Sequence, residues 1–307
     1  MPNITEIKEQ HKEAENRGNG ESGKRKILSF SDSPRRPFPD SALLLLHGWA
    51  TDSLVWQHQV EEFSKEHKVV TIDLPGHAEK DVWSEPTLKP AVEKLLQFTV
   101  HDSQFTGFIG IGWSLGGQAL LEAAVKNPDA FRSLVLIGAT PKFVADETFP
   151  HGQPQGVAKR MLKDIKKDFS KTMQRFYPLN FTEEELLSPA AKEFMELYRK
   201  KNTKLSQGSV ITSLGALLSV DLRDILSNIA IPALIIHGEK DQVCPVEAAR
   251  YLAENLPDAK LEIFKDAGHA PFLTKGKEFN EVVKEFLNHT VKLSSLGGRG
   301  KRGGGSL

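Results

Sequence analysis

Residues 105–128 read FTGFIGIGWSLGGQALLEAAVKNP, and this stretch decides the fold. An apolar run, Phe105–Ile111, passes through Gly112-Trp113-Ser114-Leu115-Gly116-Gly117 into a helical pattern, Gln118–Lys126, closed by Asn127-Pro128. Strand, sharp turn and helix in that order give the G-x-S-x-G pentapeptide its meaning. A serine on such a turn needs strained backbone angles, and glycine neighbours let the helix cross close to the strand. The turn also exposes the Ser114 hydroxyl and aims a helix N-terminus at it, so backbone N–H groups face developing negative charge. A glycine-rich turn alone can match the pentapeptide, so the case depends on what the chain places around it.

Outward from that turn, short apolar runs recur at Leu43–Leu46, Val69–Ile72, Ser133–Ile137, Ala233–Ile236 and Leu261–Phe264. Uniformly apolar strands separated by helical patterns predict a mostly parallel sheet with flanking helices. The alternation breaks once, between Pro141 and Val220, where the periodicity predicts helices at Val157–Phe176, Glu183–Lys201 and Val210–Leu218. The organisation expected is an α/β-hydrolase core over 27–140 and 221–292 with an all-helical lid inserted at 141–220. Residues 1–26 hold four apolar side chains, and Gly297–Gly305 holds six glycines. Disordered tails are expected at 1–26 and 293–307, because such text cannot offset its ordering entropy.

Composition narrows the class. The 40 basic residues balance 40 acidic ones, so no global field draws the chain to nucleic acid or an anionic membrane. The single cysteine, Cys244, excludes an internal disulfide framework and fits a reducing compartment. No apolar stretch is long enough for a signal peptide or a membrane span. A cytoplasmic monomer is expected, without cofactor or metal: there is no H-E-x-x-H, and His47, His77 and His237 lack metal-ligand spacing.

A serine nucleophile needs a base, and position selects one of ten histidines. His269 follows the last apolar strand in KDAGHAPF, and Asp241 follows the preceding one in IIHGEKD. Ligand-facing residues of open α/β sheets lie beyond strand C-termini. Ser114, Asp241 and His269 occur in the Ser…Asp…His order of this fold. Asp241 could equally cap the helix beginning near Pro245, and His269 could simply pack in a loop; three such residues, each at a strand end, make coincidence the poorer explanation. The oxyanion of an acyl-transfer intermediate needs two backbone donors, assigned to the N–H groups of Leu115 and Trp49. Cys244 has no base placed for it and reads as a packed residue.

Within Val157–Phe176 the apolar residues Val157, Met161, Ile165, Phe169 and Met173 recur every fourth position. Lys159, Lys163, Lys167, Lys171 and Arg175 recur at the same interval, offset by two, or about 200° around a helix. Seven basic residues face two acidic ones over this segment, a local charge of +5. Such a ridge is either an ordinary solvated face or a docking site for an acidic partner.

The motifs LLLLHGW (Leu43–Trp49), DLPGH (Asp73–His77), IGWSLGG (Ile111–Gly117), KDFSKTMQRF (Lys167–Phe176), VDLR (Val220–Arg223) and GHAPF (Gly268–Phe272) together give a chain that resembles the pimeloyl-(acyl-carrier protein) methyl ester esterases of biotin synthesis. The resemblance spans about Ala42 to Leu287. It implies a carboxylesterase acting on a methyl ester carried by acyl carrier protein, an acidic partner. It further implies carrier docking by the basic ridge, with Lys171 and Arg175 at matching positions, and a substrate chain held against Trp49, Ser114, Leu115, His269 and the segment Phe176, Tyr177, Pro178, Leu179 and Asn180. Lys171 stands where arginine is expected, which keeps the charge and loses the planar fork. A broad short-chain carboxylesterase without a carrier, or a non-catalytic receptor of the same fold, would share much of this pattern.

Overall fold

The computed structural model describes residues 41–78, 81–101, 105, 107–201 and 205–297. The tail expected at 1–26 lies outside the described residues, as do residues 298–307. Six strands form one sheet: β1 (Ser41–Leu46), β2 (Lys68–Ile72), β3 (Gly107–Trp113), β4 (Phe131–Ile137), β5 (Ala233–Gly238) and β6 (Ala259–Phe264). Their order is β2-β1-β3-β4-β5-β6, and every neighbouring pair is parallel. Every residue of β1, β3 and β5 is buried. This is why these strands read as unbroken apolar runs rather than alternating ones.

Helices α1 (Gln57–Phe63), α2 (Lys89–His101), α3 (Leu115–Lys126), α8 (Val246–Asn255), α9 (Pro271–Thr274) and α10 (Gly276–Gly297) surround the sheet. The last of these continues through residues 293–297, where a tail had been expected. From β1 the chain crosses to β2 at the edge and returns to β3 on β1's other side. The loops leaving β1 and β3 therefore diverge, opening a crevice at the carboxyl ends of the strands. Among the described residues no helix is long and apolar enough to cross a membrane.

Between β4 and β5 the chain forms α4 (Gln155–Lys167), α5 (Phe169–Phe176), α6 (Pro189–Lys201) and α7 (Gln207–Ser219), with tight turns at Tyr177–Asn180 and Glu185–Leu187. The single helix expected over Val157–Phe176 is two. Asp168 adopts φ −152° and ψ 93°, and its carboxylate accepts from the Lys171 N–H at 3.0 Å, starting α5 afresh. Ile165, Phe169 and Met173 are buried on both sides of the break, but Val157 is 53% exposed and leaves the apolar stripe.

The base of this insertion is pinned where its two stems meet. Lys142 and Asp221 form an isolated antiparallel bridge, and the Leu222 N–H donates to the Pro141 carbonyl at 2.9 Å. Asp221 receives Arg223 in a two-pronged pair at 2.8 and 2.7 Å and Lys142 at 3.0 Å. The Val220–Arg223 motif is thus the clasp that closes the insertion onto the core.

Candidate active site

Ser114 sits at the tip of β3, with φ 53° and ψ −115°. Few residues with a Cβ adopt such angles, and here the surroundings enforce them. The Ser114 N–H donates to the Ile137 carbonyl at 2.8 Å, while α3 starts at the next residue. Helix α3 crosses so closely that a Cβ on Gly116 would lie 2.6 Å from the Leu46 carbonyl oxygen. Only glycine fits there, and that contact fixes the elbow against β1.

Asp241 lies three residues past β5, and its carboxylate is buried and surrounded by donors. Oδ1 accepts from the N–H groups of Val243 (2.7 Å) and Cys244 (2.8 Å). Oδ2 lies 2.6 Å from His269 Nδ1 and 3.1 Å from His237 Nε2. Burial alone would raise the carboxyl pKa, but the two facing imidazoles outweigh it and hold Asp241 well below the usual carboxylate range. An ionised Asp241 keeps the proton on His269 Nδ1, leaving Nε2 free to accept one.

His269 and Ser114 line one narrow, partly open cavity of about 20 Å³, room for a single water. Among the described residues no hydrogen bond joins the Ser114 hydroxyl to the imidazole. Catalytic contacts often tighten only with substrate bound. Among the described residues no backbone carbonyl accepts from the N–H of Leu115 or Trp49. Both N–H groups are thus unclaimed by backbone carbonyls; Trp49 lines the cavity, whereas Leu115, expected there, is buried behind Ser114 and does not.

Most of the remaining wall is apolar: Trp113 and Val243 from the core side, Phe143, Met161, Phe176, Leu214 and Leu217 from the insertion. Trp49 ties the two parts together, its Nε1–H donating to the Val210 carbonyl at 2.9 Å and its ring meeting Phe176 edge-on at 4.9 Å. Of the five-residue segment expected at the pocket, Phe176 and Asn180 line the cavity; Tyr177, Pro178 and Leu179 do not. Tyr177 donates its hydroxyl to the Ala50 carbonyl instead, and Leu179 is 43% exposed. Phe143, Leu214, Leu217 and Val243 were not anticipated, since nothing local distinguishes them from core residues.

The basic residues Lys159, Lys163, Lys167, Lys171 and Arg175 are all exposed, and none has an acidic partner among the described residues. Arg160 pairs with Asp164 at 3.7 Å. Cys244 is buried, and burial pushes its thiol pKa well up, which disfavours a reactive thiolate. Among the described residues no cluster of His, Cys, Asp and Glu could hold a metal ion.

His47 and His77 are fully buried beside one another, ring centroids 5.3 Å apart. His47 takes the Leu74 N–H on Nε2 and donates from Nδ1 to the Gly48 carbonyl, bracing the loop that carries Trp49. Burial and the neighbouring His47 lower the His77 pKa to about 3. A folded-state pKa below the unfolded 6.5 means stability that is complete above pH 6.5 and is lost as pH falls toward 3. The expected loss is about 2 kcal/mol by about pH 5, and His77→Gln should flatten that part of the curve. Denaturant unfolding across the range checks it; an unchanged slope in the variant would count against this source.

A family profile described as the alpha/beta hydrolase fold matches residues 41–276. A pimeloyl-(acyl-carrier protein) methyl ester esterase from Chromobacterium violaceum is 32% identical over 252 residues, covering 80% of this chain and 93% of the relative. The esterase of the same name from Nitrosomonas europaea is 33% identical over 244 residues, covering 77% and 92%. Among solved structures, an esterase from Exiguobacterium antarcticum superposes with a TM-score of 0.76 at 24% identity, covering 86% of this chain and 94% of that one. That likeness concerns the fold alone.

Proposed function

This chain belongs to the alpha/beta hydrolase family, and from that premise we propose that it is a serine carboxylesterase that hydrolyses the methyl ester of a pimeloyl chain borne by acyl carrier protein, in biotin synthesis. The observation that carries the chemistry is that Ser114 and His269, past the ends of β3 and β6, line one cavity, with Asp241, past β5, 2.6 Å behind His269 Nδ1. The substrate is supported by relatives of that name that align along most of their length.

His269 Nε2 takes the Ser114 proton as the serine oxygen attacks the ester carbonyl. The oxyanion is held by the N–H groups of Leu115 and Trp49. As the tetrahedral intermediate collapses, the bond to the methoxy oxygen breaks, and His269 returns the proton to the departing methanol. Water then enters, gives a proton to His269 and attacks the acyl-serine, which releases the free carboxylate and restores Ser114. The ester end of the chain would meet the apolar lining of this cavity, to which the helical insertion contributes.

The carrier would meet the exposed basic residues of α4 and α5, which lie on the insertion that walls the cavity. Lys171→Glu combined with Arg175→Glu should lower kcat/KM for a carrier-borne methyl ester by tenfold or more, and rising salt should do likewise. The same ester free in solution should be unaffected. Equal losses on both substrates, or none on either, would favour a broad short-chain carboxylesterase that needs no carrier.

A further inference from the structure

Glu185 lies in the helical insertion, away from the cavity, yet it is only 8% exposed. Part of its environment is a local helix start. In Thr182-Glu183-Glu184-Glu185 the Thr182 hydroxyl accepts from the Glu185 N–H at 3.1 Å, and Glu185 Oε2 accepts from the Thr182 N–H at 2.9 Å. This reciprocal capping box explains a glutamate at the position, but such a box is satisfied at the surface and needs nothing further.

Glu185 reaches further. Oε2 also accepts from the Gly268 N–H at 2.8 Å, and Oε1 receives the Thr274 hydroxyl of α9. One buried carboxyl group therefore joins the insertion to both flanks of the loop that carries His269. The insertion grips that loop a second time, where the Ala270 N–H donates to the Asn180 carbonyl at 3.2 Å. The core grips it too, through Trp113 Nε1 and the His269 carbonyl at 2.9 Å, the Lys240 N–H and the Ala267 carbonyl at 2.9 Å, and Asp241 and the His269 ring at 2.6 Å. Contact between loop and insertion is close enough that a Cβ on Gly268 would come within 2.8 Å of the Asn180 oxygen and 3.0 Å of Glu185 Oε2.

We propose that Glu185 is a positioning residue for catalysis: by holding the Gly268 N–H it makes the placement of the His269 imidazole depend on the seating of the helical insertion. The backbone on either side of His269 is fixed by residues 180 and 185, and the ring has its working geometry when both are engaged. The insertion supplies much of the cavity wall, so an acyl chain that enters lies against it. A shift of the insertion on acyl-chain binding would therefore be felt by the histidine loop. The insertion acts on the proton transfer as well as on access.

This inference rests on the serine esterase reading above, and the test separates the two. Glu185→Ala and Glu185→Gln are compared with the unaltered protein on a small aryl ester, at a temperature where each is fully folded. Glutamine can keep the whole network: its oxygen accepts from Thr182 and Gly268, and its amide donates to Thr274, whose hydroxyl can accept as well as donate. The alanine variant is expected to lose roughly ten- to a hundredfold in kcat with KM little changed. The glutamine variant should retain most of the activity. A merely structural glutamate would lower the melting temperature and leave kcat per folded molecule alone, and that result overturns the proposal, as does a glutamine variant as impaired as alanine. Should Glu185→Ala fail to fold, Thr274→Val removes one arm; a kcat lowered a few-fold supports the proposal and an unchanged kcat overturns it. If the unaltered protein itself hydrolyses no ester, the esterase reading fails; if it does and the alanine variant matches it, only the role of Glu185 fails.

Discussion

Ser114→Ala is expected to leave a folded protein whose ester turnover has fallen by at least about four orders of magnitude. The hydroxyl makes no hydrogen bond among the described residues, so its removal leaves no buried group unpaired. The elbow is held by backbone and glycine contacts that alanine preserves, the Ser114 N–H to the Ile137 carbonyl among them. Alanine bears the φ 53° conformation as poorly as serine does, so unfolding free energy should change by less than about 1 kcal/mol. The basic face of the insertion is untouched, and the variant should still associate with a carrier-borne ester while failing to cleave it. Steady-state hydrolysis set beside a thermal melt checks both halves. Turnover within tenfold of the unaltered protein would remove Ser114 from the chemistry.

Asp241→Asn should lower kcat by about four orders of magnitude. The structure leaves the amide no good orientation. With its oxygen on the Val243 and Cys244 N–H groups, its NH2 faces His269 Nδ1 and the Nε2–H of His237. Donating to His269 Nδ1 drives the remaining imidazole proton to Nε2, the atom that must take the proton from serine. Turned over, the NH2 opposes two backbone N–H groups. Each arrangement sets donor against donor in a buried site, so stability should fall by about 1–3 kcal/mol. Combining Asp241→Asn with Ser114→Ala should cost little beyond Ser114→Ala alone, since the groups act as one unit. Kinetics of the three variants test this; independent, multiplying losses would contradict a shared proton relay.

His237 explains why an aspartate three residues past a strand can be so fixed. It is fully buried, and its Nε2 lies 2.8 Å from the Cys244 carbonyl and 3.1 Å from Asp241. Burial works against its protonation, but the Asp241 carboxylate more than compensates and raises its pKa. The same dipeptide, His237-Gly238, thus ends the strand and supports the carboxylate.

What could be read from sequence follows from where information is local. The strands were legible because β1, β3 and β5 are buried on both faces, so their text is continuously apolar. Ser114 and Asp241 stood out because they lie at or just past the ends of β3 and β5, His269 because it lies past the shorter apolar run of β6, and a parallel sheet gathers strand ends at one edge. The break at Asp168 was hidden because the apolar spacing of four runs through it unchanged; the only local sign is an aspartate able to cap Lys171. Phe143, Leu214, Leu217 and Val243 could not be found, because a pocket wall and a core residue look alike until distant segments meet. Glu185 shows the limit most clearly: Thr182-x-x-Glu185 is a visible cap, whereas its bond to Gly268 spans 83 positions and exists only in the folded chain.

The most direct measurement is to treat the unaltered protein with a fluorophosphonate, digest it and weigh the peptides. A serine activated by His269 and Asp241 should give one phosphonyl adduct, on the peptide containing Ser114, formed at a rate that drops sharply in Asp241→Asn. An adduct on another residue, or a Ser114 adduct forming equally fast with and without the Asp241 carboxylate, would contradict the triad on which every step of the proposed chemistry depends.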